Sequence, residues 1–183
     1  AAFARAGGLR AACFQQVNVG EASMRLGDYP RAERLLREAL ETAHRLGLTA
    51  VVAWVQQNLG VTLGVLGRRD EAVDTERSSA NTYGEIGERP MESASRSHLA
   101  AILLARGEHA AAEDEARRAL ALASGPTVLV PRRALALGAL TDVLRGTGRL
   151  PEAIAAGREA VQLVDRMEVS HENESFIRRA RLE

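Results

Sequence analysis

The chain has 183 residues with 24 acidic and 24 basic side chains, a formal charge of zero, and so lacks the basic excess by which nucleic-acid-binding domains hold phosphate. No apolar run approaches the roughly 20 residues that cross a bilayer. No signal peptide is visible, and the single cysteine, Cys13, has no internal partner and fits a reducing compartment.

Every basic residue is arginine. The absence of lysine removes phosphate-loop, kinase-ATP and Schiff-base chemistry from this chain. Together with the abundance of Ala, Gly, Leu and Val, it suggests a bacterial source with a GC-rich genome. The chain opens on Ala and stops at "RRARLE" inside a helix-like pattern. It is therefore expected to be a piece of a longer protein, with Leu182-Glu183 as a cloning scar.

Apolar spacing predicts helices at 9–26, 30–46, 49–66, 70–86, 90–106, 110–123, 127–145, 151–167 and 171–182. Thr127–Pro131 is taken as a helix start with its proline in the first turn. No segment reads as a strand.

The elements repeat. "LGDYPRAERLLREAL" (Leu26–Leu40), "LGRRDEAVDTERSSA" (Leu66–Ala80), "ARGEHAAAEDEARRAL" (Ala105–Leu120) and "GTGRLPEAIAAGREAV" (Gly146–Val161) align on Gly27, Gly67, Gly107 and Gly148. An alanine follows each glycine by five residues: Ala32, Ala72, Ala112 and Ala153. A small residue precedes it by seven: Gly20, Gly60, Ala100 and Thr141. Each unit decodes as two helices joined at a glycine able to take a left-handed cap. The small residues let the two backbones approach, so a chain with only 3% aromatic residues can still fill its core.

These residues resemble the tetratricopeptide repeat. "NVG…LGDY…A…EAL" supplies most of the pattern in Val19-Gly20, Leu26–Tyr29, Ala32 and Ala39-Leu40. Later units depart from it: Arg69 and His109 replace the tyrosine, and Glu76 replaces the large apolar residue of the second helix. The forty-residue period is similar to that of kinesin light chains and many bacterial regulators. Armadillo and HEAT repeats, the rivals at this period, lack the paired small residues.

The resemblance implies an all-α, right-handed superhelical solenoid of about four helix-turn-helix units plus a C-terminal helix. The expected units are 9–46, 49–86, 90–123 and 127–167, with 171–182 opening a fifth unit or capping the array. It further implies that first helices line a concave groove. There Asn18, Asn58 and His98 form rungs at forty-residue steps, similar to the asparagine ladder of some tetratricopeptide proteins. An amide donates and accepts, so it can hold a peptide backbone regardless of sequence. The alternative is that these asparagines bond a neighbouring helix and fix the stacking.

Around the rungs, Glu21 and Arg25, then Val61 and Val65, then Ala101, then Asp142 and Arg145 complete the candidate groove. Trp54, one turn before Asn58, is either a ligand anchor or partly buried core. The charged members are either readers of ligand charge or solvated surface.

No catalytic constellation appears. The four histidines are scattered, and "HENE" (His171–Glu174) reads as a solvated helix start rather than a metal site. Expected, then, are no enzyme activity, no cofactor and no metal. The partner is expected to be a protein or peptide, within the chain or outside it, with no nucleic acid and no membrane. The expected setting is a cytoplasmic bacterial signalling protein, with serine/threonine kinases or large transcriptional regulators as the source of attached domains. A homodimer through the solenoid ends, an assembly scaffold and a metabolite-sensing module of a transcription activator are the alternatives.

Overall fold

The computed structural model describes residues 2–124 and 130–180, with side chains described for 8–124 and 130–166. They form eight helices: α1 (Ala2–Arg25), α2 (Tyr29–Arg45), α3 (Thr49–Val65), α4 (Arg69–Glu85), α5 (Arg89–Ala105), α6 (His109–Leu122), α7 (Val130–Gly146) and α8 (Leu150–Ala180). No strand occurs among the described residues. The all-α repeat array expected from the sequence is what the chain adopts.

The helices from α2 to α6 begin at 20-residue steps. Between them Gly27, Gly47, Gly67, Gly87 and Gly107 hold φ of 63–81°, and Gly148 holds 77° before α8. That backbone region is open to glycine and strained for a residue with a Cβ. After each glycine the next N–H reaches back over the last helical turn, as Asp28 donates to the Ser23 carbonyl at 2.9 Å and Arg68 to the Leu63 carbonyl at 2.9 Å. These bonds satisfy carbonyls that the helix end leaves free. Gly47 and Gly87 thus turn the chain between units just as Gly27, Gly67 and Gly107 turn it within them. Pro30 and Pro90 occupy first turns, where a missing N–H costs nothing.

Two offsets within each unit fix the helix pairing. At an offset of 26, the Cys13 thiol donates to the Ala39 carbonyl (3.5 Å) and the Ser93 hydroxyl to the Ala119 carbonyl (2.8 Å). In the second unit the direction reverses, Ser79 donating to Ala53 at 2.8 Å, and in the fourth Arg133 meets Glu159 at 2.6 Å. At an offset of 16, Gly20 faces Leu36, Gly60 faces Glu76 and Thr141 faces Gly157. Ala32, Ala72, Ala112 and Ala153 are all buried at the helix interface.

First helices also approach one another backbone to backbone across units (α1 with α3, α3 with α5, α5 with α7), whereas the backbones of second helices approach only those of the first helices that flank them. The layer of first helices is therefore the tighter, inner side of the stack. Ion pairs staple the outer layer. Arg68 bridges Glu33 and Glu71 while Arg37 joins the same two carboxylates, at 2.9 and 2.5 Å. Two units later Arg149 reaches Glu113 at 2.6 Å. Some of these charges pair within one helix. Glu113–Arg117 (2.7 Å) is one such pair, but Arg68–Glu33 and Arg149–Glu113 cross between units.

One expected boundary is corrected. The helices predicted at 151–167 and 171–182 are a single helix, α8, running from Leu150 to Ala180. No glycine or proline lies between Gly157 and Ala180, so nothing in that stretch supplies a cheap left-handed cap or stops the helix. The side chains of "HENE", Phe176 and Ile177, together with Leu182-Glu183, lie outside the described residues, as do residues 127–129 of the expected α7 start.

Candidate functional site

The residues expected to line the groove fall into separate places. Val61, Val65, His98 and Ala101 come together at one cavity of about 240 Å³, closed by Gly64, Arg69, Ile102 and Ala105. Its walls are the C-terminal half of α3, the start of α4 and the second half of α5. Gly64 belongs there because a Cβ would press on Ile102 at 3.3 Å. The cavity is apolar on its walls, with Arg69 and His98 as its polar members.

Asn18, Glu21 and Arg25 line a second, more polar cavity on α1. There Arg25 pairs with Glu21 at 2.8 Å. Asp142 and Arg145 pair with each other at 3.2 Å on α7. Both pairs are exposed enough to be worth little. Trp54 is half-buried against the core and stacks obliquely on Phe14, ring centres 6.3 Å apart.

The rungs differ in environment. Asn18 is exposed, whereas Asn58 and His98 are half-buried. The Nδ2 of Asn58 is buried with no hydrogen-bond partner among the described residues, so this nitrogen does not tie α3 to a neighbouring helix. His98 turns its Nδ1 inward to within 3.5 Å of the Glu76 carboxylate.

Glu76, which the sequence marks only as a replacement for a large apolar residue, is the feature absent from the expected groove. It is fully buried, and neither of its oxygens has a hydrogen bond among the described residues. Burial pushes its carboxyl up to about 7; the nearby His98 imidazole and Ser95 hydroxyl oppose that effect without cancelling it. The Ser95 hydroxyl is already engaged, accepting from Gln57 at 3.1 Å and sharing a proton with Ser79 at 2.9 Å.

Gly60 makes the space: a Cβ there would lie 2.5 Å from the Glu76 Cγ. The signal was the register itself, since Glu76 occupies the place of Leu36 one unit earlier and of Ala116 one unit later. The offset of 22 that brings His98 to Glu76 falls, one unit earlier, on Asn58 and Leu36. An aliphatic neighbour gives the Asn58 amide nothing to bond.

Cys13 is buried, and burial raises its thiol. At the far end, Leu150, Ile154, Val161 and Val164 leave an exposed apolar row along α8. A shallow cavity of about 490 Å³ lies beside it against α7.

Family models for the tetratricopeptide repeat match residues 13–85 and 93–118. No curated protein sequence matches significantly. Among solved structures, the chain is similar to BtubC (BKLC) from P. vanneervenii, at 16% identity and TM-score 0.72, over 85% of this chain and 64% of that one. It thus spans less than two thirds of that protein's length. It is also similar to a putative kinesin light chain of Podospora anserina with nearly identical repeats (18% identity, TM-score 0.67, 83% and 74% covered). A third likeness is to MamA of AMB-1 (23% identity, TM-score 0.57, 82% and 78% covered). At these identities the likeness concerns the fold.

Proposed function

The chain belongs to the tetratricopeptide-repeat family, whose repeats generally mediate protein–protein interaction, and we propose that it holds an extended peptide along the inner face of its first helices. The observation that carries this reading is the α3–α5 cavity. It joins four of the expected groove residues, Val61, Val65, His98 and Ala101, one turn from the half-buried Asn58. A small aliphatic side chain of the peptide fills the cavity while Asn18 and Asn58 bond its backbone. The partner is a protein segment, intramolecular or not, in a bacterial cytoplasmic signalling protein.

The test uses peptides selected from a random displayed library and measured by calorimetry. Each asparagine–backbone bond is worth about 1 kcal/mol, so Asn18→Ala with Asn58→Ala is expected to weaken binding roughly 5–30-fold at an unchanged melting temperature. A lowered melting temperature with unchanged affinity would return the asparagines to a stacking role.

A second reading rests on α8. At every interior junction the second helix is covered by the next first helix, whereas Leu150, Ile154 and Val161 are more than half exposed. End-to-end pairing of two copies covers that row. Sedimentation should then show a dimer that Ile154→Glu with Val161→Glu dissociates; a monomer at high micromolar concentration rules the pairing out.

A further inference from the structure

The buried Glu76 belongs to no part of the peptide reading, yet it touches the one groove residue that can change its hydrogen-bonding sense. We propose that Glu76 and His98 form a proton-operated contact in the α3–α5 cavity, one that selects ligands bearing an acceptor oxygen beside an aliphatic group. This rests on the groove being a binding surface.

The chemistry follows from where the atoms face. His98 Nδ1 points inward to Glu76, 3.5 Å away, and is sealed from solvent, while the ring itself lines the cavity beside Val61, Ala101 and Ile102. With the carboxyl ionised, the single imidazole proton sits on Nδ1, because an Nδ1 lone pair facing a carboxylate would be repelled. Nε2 is then bare and can only accept.

Adding one proton gives one of two states. Either the imidazole carries both protons, or the carboxyl carries one, donates it to Nδ1 and leaves the imidazole proton on Nε2. In both states Nε2 becomes a donor. The outcome does not depend on which member of the pair holds the proton, so the contact turns from acceptor to donor as the pair gains one charge.

The surroundings favour the protonated form near neutrality. Gly60 of α3 crowds the carboxyl without offering a donor, and the hydroxyls of Ser79 and Ser95 are committed to each other and to Gln57. Among the described residues, the titratable or charged groups around the pair are few. They are Tyr83 of α4, whose phenol burial raises to about 12 and on which the Glu76 charge acts in the same direction, and Arg69 of α4 across the cavity. Facing the cavity, therefore, are a donor at Nε2 and the Arg69 cation, over aliphatic walls. A carbonyl or carboxylate oxygen next to a branched aliphatic chain complements all three.

The test uses the full chain and two readouts. Long-range nitrogen NMR of His98 is expected to show bare Nε2 on the basic side of the Glu76 transition and protonated Nε2 on its acid side, with the change displaced in Glu76→Gln. Isovalerate, a branched chain carrying two acceptor oxygens, is expected to shift the Val61, Val65 and Ala101 methyl signals, and to bind about tenfold more tightly at pH 6 than at pH 8. Glu76→Leu, which copies the Gly20–Leu36 pairing of the first unit and so has a precedent for folding, should abolish most of that ratio. His98→Asn, which restores the rung residue of the first two units, should abolish all of it.

A single His98 tautomer from pH 5 to 9, or a transition indifferent to Glu76→Gln, overturns the proton-operated contact. Isovalerate binding that is absent, or equal at the two pH values, overturns the ligand assignment. Neither result touches the asparagine contacts, whose own failure would appear in the peptide measurements with the His98 transition intact.

Discussion

Glu76 shows how one side chain can set the pH response of a whole helix stack. Its carboxyl is raised from the usual range to about 7 in the folded chain, so the folded state binds the proton more tightly than the unfolded one. Stability on its account is full below about pH 4.5, falls as pH rises, and is lost above about 7, by an amount on the order of 3 kcal/mol. Urea unfolding should accordingly give a lower midpoint at pH 8 than at pH 5. Glu76→Leu should flatten the difference and raise the pH 8 value.

Gly60 offers a second check at the same scale. Gly60→Ala forces a Cβ to 2.5 Å from the Glu76 Cγ, an overpacking expected to cost about 1–3 kcal/mol. The third unit already contains the compatible pair, Ala100 and Ala116, both buried. Adding Glu76→Ala to Gly60→Ala should therefore recover most of the loss, a coupling that a double-mutant cycle measures directly.

Among the elements, the turns were legible and the last helix was not. Gly27, Gly67, Gly107 and Gly148 stand out in the sequence because a left-handed turn has few chemical solutions, and each adopts one. The 151–167 and 171–182 split fails because the rhythm of the earlier units does not extend into a stretch with no glycine or proline to end a helix. The Glu76–His98 pair was illegible for another reason. Sequence marks a charged residue in a core position, but only packing shows whether it escapes to solvent along its aliphatic stem or stays sealed, as here.

Turn chemistry predicts that Gly67→Ala, at φ 79°, lowers stability by roughly 1–2 kcal/mol. By contrast Arg68→Ala, which removes partly exposed bridges to Glu33 and Glu71, should cost about 1 kcal/mol or less, and less still in high salt. Thermal melts of the two variants in low and high salt separate a backbone effect from an electrostatic one.

Over the whole molecule, stability is a sum of neighbouring interfaces, since each unit touches only the next. The groove and the exposed α8 row sit on different parts of that array, so a partner in one need not compete with a second copy at the other. The same linear plan has a consequence for how such a chain can lengthen. Glycine turns recur every 20 residues between Gly27 and Gly107, but the pattern of what lies inside recurs only every 40. Splicing in one helix and its turn would keep the chain path regular while putting an outward-facing sequence on the inner layer for the rest of the array. Duplication is thus confined to even steps, and the grammar of the chain counts helices in twos although its punctuation comes after every one.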